Sequence, residues 1–146
     1  MSSGSEERAR GVALFNGVWK LIESREDDDR MLHMAHASRY AWGEAPECGA
    51  ANLARGEWLC SRVYAVLGRG EPALWHARRC LAHCEENCIG DWDLAYACEA
   101  MARALYEQGD AAGAALWRDR ARAAGDAIAD PEDREHFDED FATLPE

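Results

Sequence analysis

Punctuation constrains this sequence more than anything else in it. Stretches of roughly 15 to 20 residues, with apolar side chains three and four apart, are broken by glycine, proline and acidic clusters. Leu14, Val18 and Leu21/Ile22 set that spacing in the first stretch. No segment alternates with period two, and none is dense in β-branched residues, so no strand is expected. A chain patterned this way can bury its apolar stripes only by packing helix on helix, which predicts an all-α fold.

The breaks predict about seven helices. The first spans 6–24, and the second runs over 25–42, entered through Glu26-Asp27-Asp28-Asp29 and ended by Gly43 and Pro46. The third covers 50–67 and stops at Gly68. Glu71-Pro72 makes a good first turn for the fourth, which ends near Asn87 and Gly90. Asp91 is expected to cap the fifth, which runs to Gln108, and Asp110 the sixth, which runs to about Ala129. Asp130-Pro131-Glu132-Asp133 opens a short last helix that ends before Pro145. The short connections predict antiparallel hairpins within one domain of residues 1–146. Its parts are an N-terminal hairpin (6–45), two repeat units (50–129) and a capping helix (130–145). In that last helix Phe137, Phe141 and Leu144 form a narrow apolar stripe against the acidic back of Glu135, Asp138 and Glu139.

Charge narrows the function. The net charge is −12, from 28 acidic and 16 basic residues, and Lys20 is the only lysine. Such a field opposes polyanions, so nucleic acid is not an expected partner. No run of apolar residues is long enough to span a membrane, and no basic-then-apolar leader opens the chain, so a cytoplasmic protein is expected. The six cysteines contain no Cys-x-x-Cys pair, which favours reduced thiols over a zinc ribbon or redox motif. The acidic runs read as solvated helix ends.

The middle of the chain repeats weakly. Tyr64-x-x-x-Gly68-x-x-x-x-Ala73 recurs as Leu105-x-x-x-Gly109-x-x-x-x-Ala114, a period of 41 residues (109 − 68). Ala73-Leu74-Trp75-x-x-Arg78 recurs as Ala115-Leu116-Trp117-x-x-Arg120 at 42 (115 − 73). The glycine suits a turn that needs positive φ, and the alanine suits a close helix crossing. Cys80 and Ala121 keep a second small position, whereas Ala77 against Arg118 breaks one. Over 53–129 this resembles an extended tetratricopeptide repeat, whose usual period is about 34. The whole chain also looks like a group of uncharacterised actinobacterial helical proteins. The resemblance implies a right-handed stack of hairpins with a concave groove.

Several polar residues ask for more than packing. On the fourth helix His76, Cys80, His83, Cys84 and Cys88 share one face, and sulfur with imidazole suits zinc or copper. The cysteines also fall inside the stripe of Ala73, Ala77 and Leu81, where small side chains pack, and packing is the preferred reading. If a metal is held, His76, Cys80, His83 and Cys84 are the candidate ligands. On the second helix His36 sits at the edge of the Met31, Ala35 and Trp42 stripe, as a half-buried histidine with a hydrogen-bond partner or as a general base. The fifth helix is apolar nearly all round, with Glu99 and Arg103 as i, i+4 partners beside Trp92, Tyr96 and Tyr106. One repeat earlier, Trp58 matches Glu99 and Arg62 matches Arg103, so two arginines could clamp a carboxylate. Trp75 points away from its helix's stripe, between Arg78 and Arg79.

The familiar nucleotide, hydrolase and metalloprotease motifs are absent from the sequence. The expectation is therefore an interaction or small-ligand-binding module. Its groove would be lined by His36, Arg62, His76, Glu99 and Arg103, with Trp58 and Tyr96 as an aromatic floor. The alternative is a metal-binding protein (zinc or copper) or a small-molecule enzyme using the groove histidines; no organic cofactor is implied. Partners are a protein or a small ligand. A homodimer is also expected, through the broad apolar surface of Phe15, Val18, Trp19 and Ile22, with Trp75 contributing.

Overall fold

The structure, a computed structural model, describes residues 4–146. Seven helices follow one another: α1 (Glu6–Ser24), α2 (Asp28–Glu44), α3 (Ala50–Val66), α4 (Gly70–Glu86), α5 (Asp91–Glu107), α6 (Ala111–Asp126) and α7 (Pro131–Phe141). No strand occurs among the described residues, and no helix there is long and apolar enough to cross a membrane.

Local chemistry sets the starts. The side chains of Ser5, Asp27, Asp110 and Asp130 each accept a backbone N–H in the first turn that follows them, and Pro131 opens α7. Two expectations shift. Arg25 does not begin α2: it closes α1 in the left-handed region (φ 56), and Asp27 caps α2. Nor does Asp91 cap α5. Its carboxylate instead accepts the Ala129 N–H at 3.1 Å, tying the start of α5 to the segment after α6.

The repeated glycines have a common physical cause. Gly68 (φ 72) and Gly109 (φ 82) are the left-handed residues of two matching turns. Gly68 N–H donates to the Ala65 carbonyl and Arg69 N–H to that of Tyr64. The same pair runs from Gly109 to Tyr106 and from Asp110 to Leu105. Both are Schellman closures, so the repeat is one way of ending a helix used twice.

Consecutive helices pack as hairpins: α1 on α2, α3 on α4, α5 on α6. Alternate odd helices also approach closely, α1 on α3, α3 on α5 and α5 on α7, whereas the backbones of α2 and α4, or of α4 and α6, stay farther apart. The odd helices therefore form a continuous inner layer and α2, α4 and α6 an outer one. The main core lies between them, around Val18, Met31, Leu59, Val63, Ala73, Ala77 and Cys80. A second cluster, with Ala121, Ile128, Phe137, Phe141 and Leu144, fastens α7 over α5 and α6, as its apolar stripe predicts. Phe137 is fully buried and adds about 1.5–3 kcal/mol by area alone.

Candidate functional site

The inner layer encloses a cleft of about 370 Å³. Phe15 and Trp19 of α1 form one wall, and Ala54, Arg55 and Trp58 of α3 the floor. Trp92, Asp93 and Tyr96 come from α5, and Asp133, His136 and Asp140 from α7. The rings make a connected series: Trp19 and Trp58 have centroids 5.6 Å apart, and Trp58 and Tyr96 5.5 Å apart. Tyr96 meets Phe137 edge-on at 5.1 Å, so the aromatic wall is continuous with the core under α7. Arg55 bridges α3 and α5 by a two-bond pair with Asp93, both at 3.0 Å, while its guanidinium lies 4.3 Å from the centre of the Trp92 ring.

Glu99 anchors the side chains next to this cleft. Its carboxylate is fully buried and accepts Trp58 Nε1–H at 3.1 Å, Arg103 Nε–H at 2.6 Å and Arg62 at 3.4 Å. Arg62 and Arg103 do converge on a carboxylate, but it belongs to the chain itself. Burial lowers the Arg62 pKa and the charge of Glu99 offsets part of that. Arg103 continues to α7, reaching the Asp140 carbonyl at 3.3 Å and the Thr143 hydroxyl at 2.8 Å. Tyr96 donates its hydroxyl to Asp140 at 2.6 Å. Burial and that carboxylate push the phenol's pKa upward, so it stays a donor.

A second constellation lies toward α2 and α4. On α3 the residues Glu57, Cys60 and Tyr64 share one face, and Trp58 and Arg62 another, roughly 150° round the helix. Glu57 is 4% exposed. It accepts Arg39 Nε–H at 2.8 Å and His76 Nδ1–H at 2.8 Å, with Arg79 Nε 3.6 Å away. Burial works to raise the Glu57 carboxyl, but the hydrogen bonds and charges of His76 and Arg39 outweigh it and hold its pKa below the ordinary value. His36 stands between Tyr64 (Nε2 to hydroxyl, 3.0 Å) and Cys60 (Nδ1 to sulfur, 3.7 Å), with its ring 5.3 Å from that of His76. Burial first, then the neighbouring His76, lowers its pKa, so it is neutral near pH 7. The Cys60 thiol is pushed up to about 12, chiefly by burial, and stays protonated.

The residues expected in one groove thus fall into two sets: Trp58, Arg62, Tyr96, Glu99 and Arg103 toward the cleft, His36 and His76 on the other side of α3. The four candidate metal ligands do not converge. His76 turns its Nδ1 to Glu57, while Cys80 and Cys84 hydrogen-bond to each other inside the core, 2% and 1% exposed. That bond, with burial, raises the Cys80 pKa and keeps the thiol protonated. Among the described residues no group of three or more His, Cys, Asp or Glu side chains is arranged to hold a metal ion. The apolar surface of α1 is engaged within the chain: Val18 is fully buried, and Phe15, Trp19 and Ile22 are half-buried against the core.

Sequence reasoning missed Glu57 and most of the cleft wall. Asp133, His136 and Asp140 recur at i, i+3 and i+7, a helical face that could have been read beside the Phe137 stripe. Read as part of an acidic run, they looked merely solvated.

No protein-family model matches the chain, and neither does a curated protein or a solved structure. The described residues form an all-α protein of consecutive helical hairpins with an aromatic cleft on its inner layer.

Proposed function

We propose that this chain is a ligand-binding module of tetratricopeptide-like build, whose ligand enters the inner cleft. The observation that carries the reading is the cleft itself: four helices bring aromatic side chains and a few polar groups around about 370 Å³, within the range of small-molecule sites. The alternate contact of odd helices and the twin turns 41 residues apart (109 − 68) support the tetratricopeptide-like build. Trp19, Trp58 and Trp92 line the site, so occupancy should alter indole emission as well as raise the melting temperature. The test is a library screen by both signals. A hit should bind more weakly to Trp92→Ala, with helix content unchanged. A diverse library in which nothing moves either signal would reject the reading.

One observation favours a second reading, a small-molecule enzyme. Glu57 and His76 form a carboxylate–imidazole pair, and His76 Nε2 has no hydrogen bond among the described residues. A carboxylate that fixes Nδ1–H leaves Nε2 as the basic nitrogen, the arrangement a general base needs. An activity panel tests it: turnover lost in His76→Gln but kept in His136→Gln supports the reading, and turnover indifferent to His76 rejects it.

A further inference from the structure

We infer that the occupant of the inner cleft is a small organic cation, an aromatic or branched amine held between the rings of α3 and α5 and the carboxylates of α7. The inference rests on the reading that the cleft is a ligand site, and adds the ligand's charge and class.

Size limits the occupant first. About 370 Å³ suits a molecule of one or two rings. A peptide helix, roughly 10 Å across with its side chains, needs a wider groove.

Charge then selects among small molecules. Of the three lining carboxylates, Asp93 is already neutralised by Arg55 through both of its oxygens. Asp133 and Asp140 are not. Neither has an ion pair among the described residues, and the Asp140 carboxylate accepts the neutral phenol of Tyr96. The two lie seven residues apart, two turns on one face of α7, so both face the same space. Across from them stand Trp58, Trp92 and Tyr96, whose ring faces are negative in quadrupole and attract cations. These rings already draw the protein's own guanidinium groups, Arg55 to Trp92 at 4.3 Å and Arg62 to Trp58 at 5.9 Å. An anion placed here would meet two carboxylates that no ion pair neutralises, Asp140 feeling the more distant charge of Arg62, and an arginine that is already paired. A neutral molecule would gain the aromatic contact alone. The net charge of −12 also favours approach of a cation.

Three probes share a phenyl ring and differ in charge: phenethylammonium, 2-phenylethanol and phenylacetate. Calorimetric titration at low salt should show the ammonium binding roughly tenfold tighter than the alcohol, and the carboxylate more weakly than both. The preference should shrink as salt is raised. Asp133→Asn with Asp140→Asn should cut the preference to about twofold or less while leaving the alcohol's affinity unchanged. Asp119→Asn, on the exposed side of α6, should leave both as they were. Circular dichroism checks that each variant is folded, and the single Asp133→Asn variant serves if the double does not fold. An alcohol or carboxylate bound as tightly as the ammonium would overturn the charge argument while the cleft reading stands. No binding of any probe at millimolar concentration would also overturn the cation inference, and the cleft reading is then judged by the library screen alone.

Discussion

Two buried glutamates, Glu57 on α3 and Glu99 on α5, stand 42 residues apart (99 − 57), and their surroundings differ in kind. Glu99 is held by two arginines and an indole N–H. Glu57 is held by two arginines and a histidine, with a second histidine ring beside it. The Glu99 side adjoins a cleft with room for a ligand, and the Glu57 side presents titratable groups near the outer layer. One geometry of helix packing has therefore buried one carboxylate among arginines and an indole and the other among arginines and histidines. The lesson is that a buried carboxylate's role follows from its partners' chemistry, not from its burial.

The sharpest way to break this comparison is to remove each carboxylate. Glu99→Ala leaves Arg62 and Arg103, whose side chains are 11% and 13% exposed, as buried unpaired charges. Breaking a buried pair on one side costs about 3–5 kcal/mol. Glu57→Ala should cost less, about 1–2 kcal/mol, because Arg79 at 44% exposure and Arg39 at 23% can turn to water. Urea unfolding of both variants at neutral pH measures the difference. Equal losses, or a larger loss for Glu57, would mean that solvent access does not separate the two sites.

A smaller effect separates them by pH. The folded-state pKa of His36 lies below its ordinary 6.5, so the unfolded chain binds this proton first. Stability from His36 is present above 6.5 and declines as pH falls through that value toward the depressed folded pKa. Glu57 has the same sign in a lower window: its contribution is present above the ordinary 4.5 and is lost as pH falls through its lowered folded pKa. His83, lowered by burial and Arg79, adds to the first window. Urea midpoints should therefore fall as pH drops from about 7.5 to about 5, and His36→Gln should flatten that slope. A slope unchanged in His36→Gln would place the titration elsewhere.

Much of this was legible from sequence because it is local. The Gly68 and Gly109 turns, the Asp110 and Asp130 caps and the Glu99–Arg103 pair each lie within a few residues of their partners. The apolar stripe of α7 is local too, since Phe137, Phe141 and Leu144 recur at helical spacing. Glu57 was not legible: its partners Arg39, His76 and Arg79 come from two other helices, 18 to 22 residues away (57 − 39 and 79 − 57). The cleft was still less so, since it depends on how α1, α3, α5 and α7 are set side by side. The degenerate small position at Arg118 shows the limit from the other direction. That side chain folds over Phe141 at 4.9 Å, so a break in the repeat becomes a contact with the capping helix.

The smallest expected effect concerns Trp75, on the Glu57 side of the molecule. Its ring is 57% exposed, edge-on to His76 at 4.9 Å and 5.0 Å from the Arg79 guanidinium. Replacing it with serine removes one exposed cation–π contact and part of a ring packing, which costs about 0.5–1 kcal/mol. Because the inner cleft lies across α3 from this position, Trp75→Ser should leave the affinity of any cleft ligand within about twofold. The same variant tests the contribution of Trp75 to the homodimer expected through Phe15, Val18, Trp19 and Ile22. If Trp75 adds to that contact, light scattering at micromolar concentration should show a dimer for the parent chain and a weaker one for Trp75→Ser. A parent that stays monomeric on concentration removes the dimer. A dimer indifferent to Trp75→Ser removes Trp75 from the contact and leaves the α1 surface to carry it. A cleft affinity that changes with Trp75 would break the comparison itself, because it would couple two sides of α3 whose described contacts are separate.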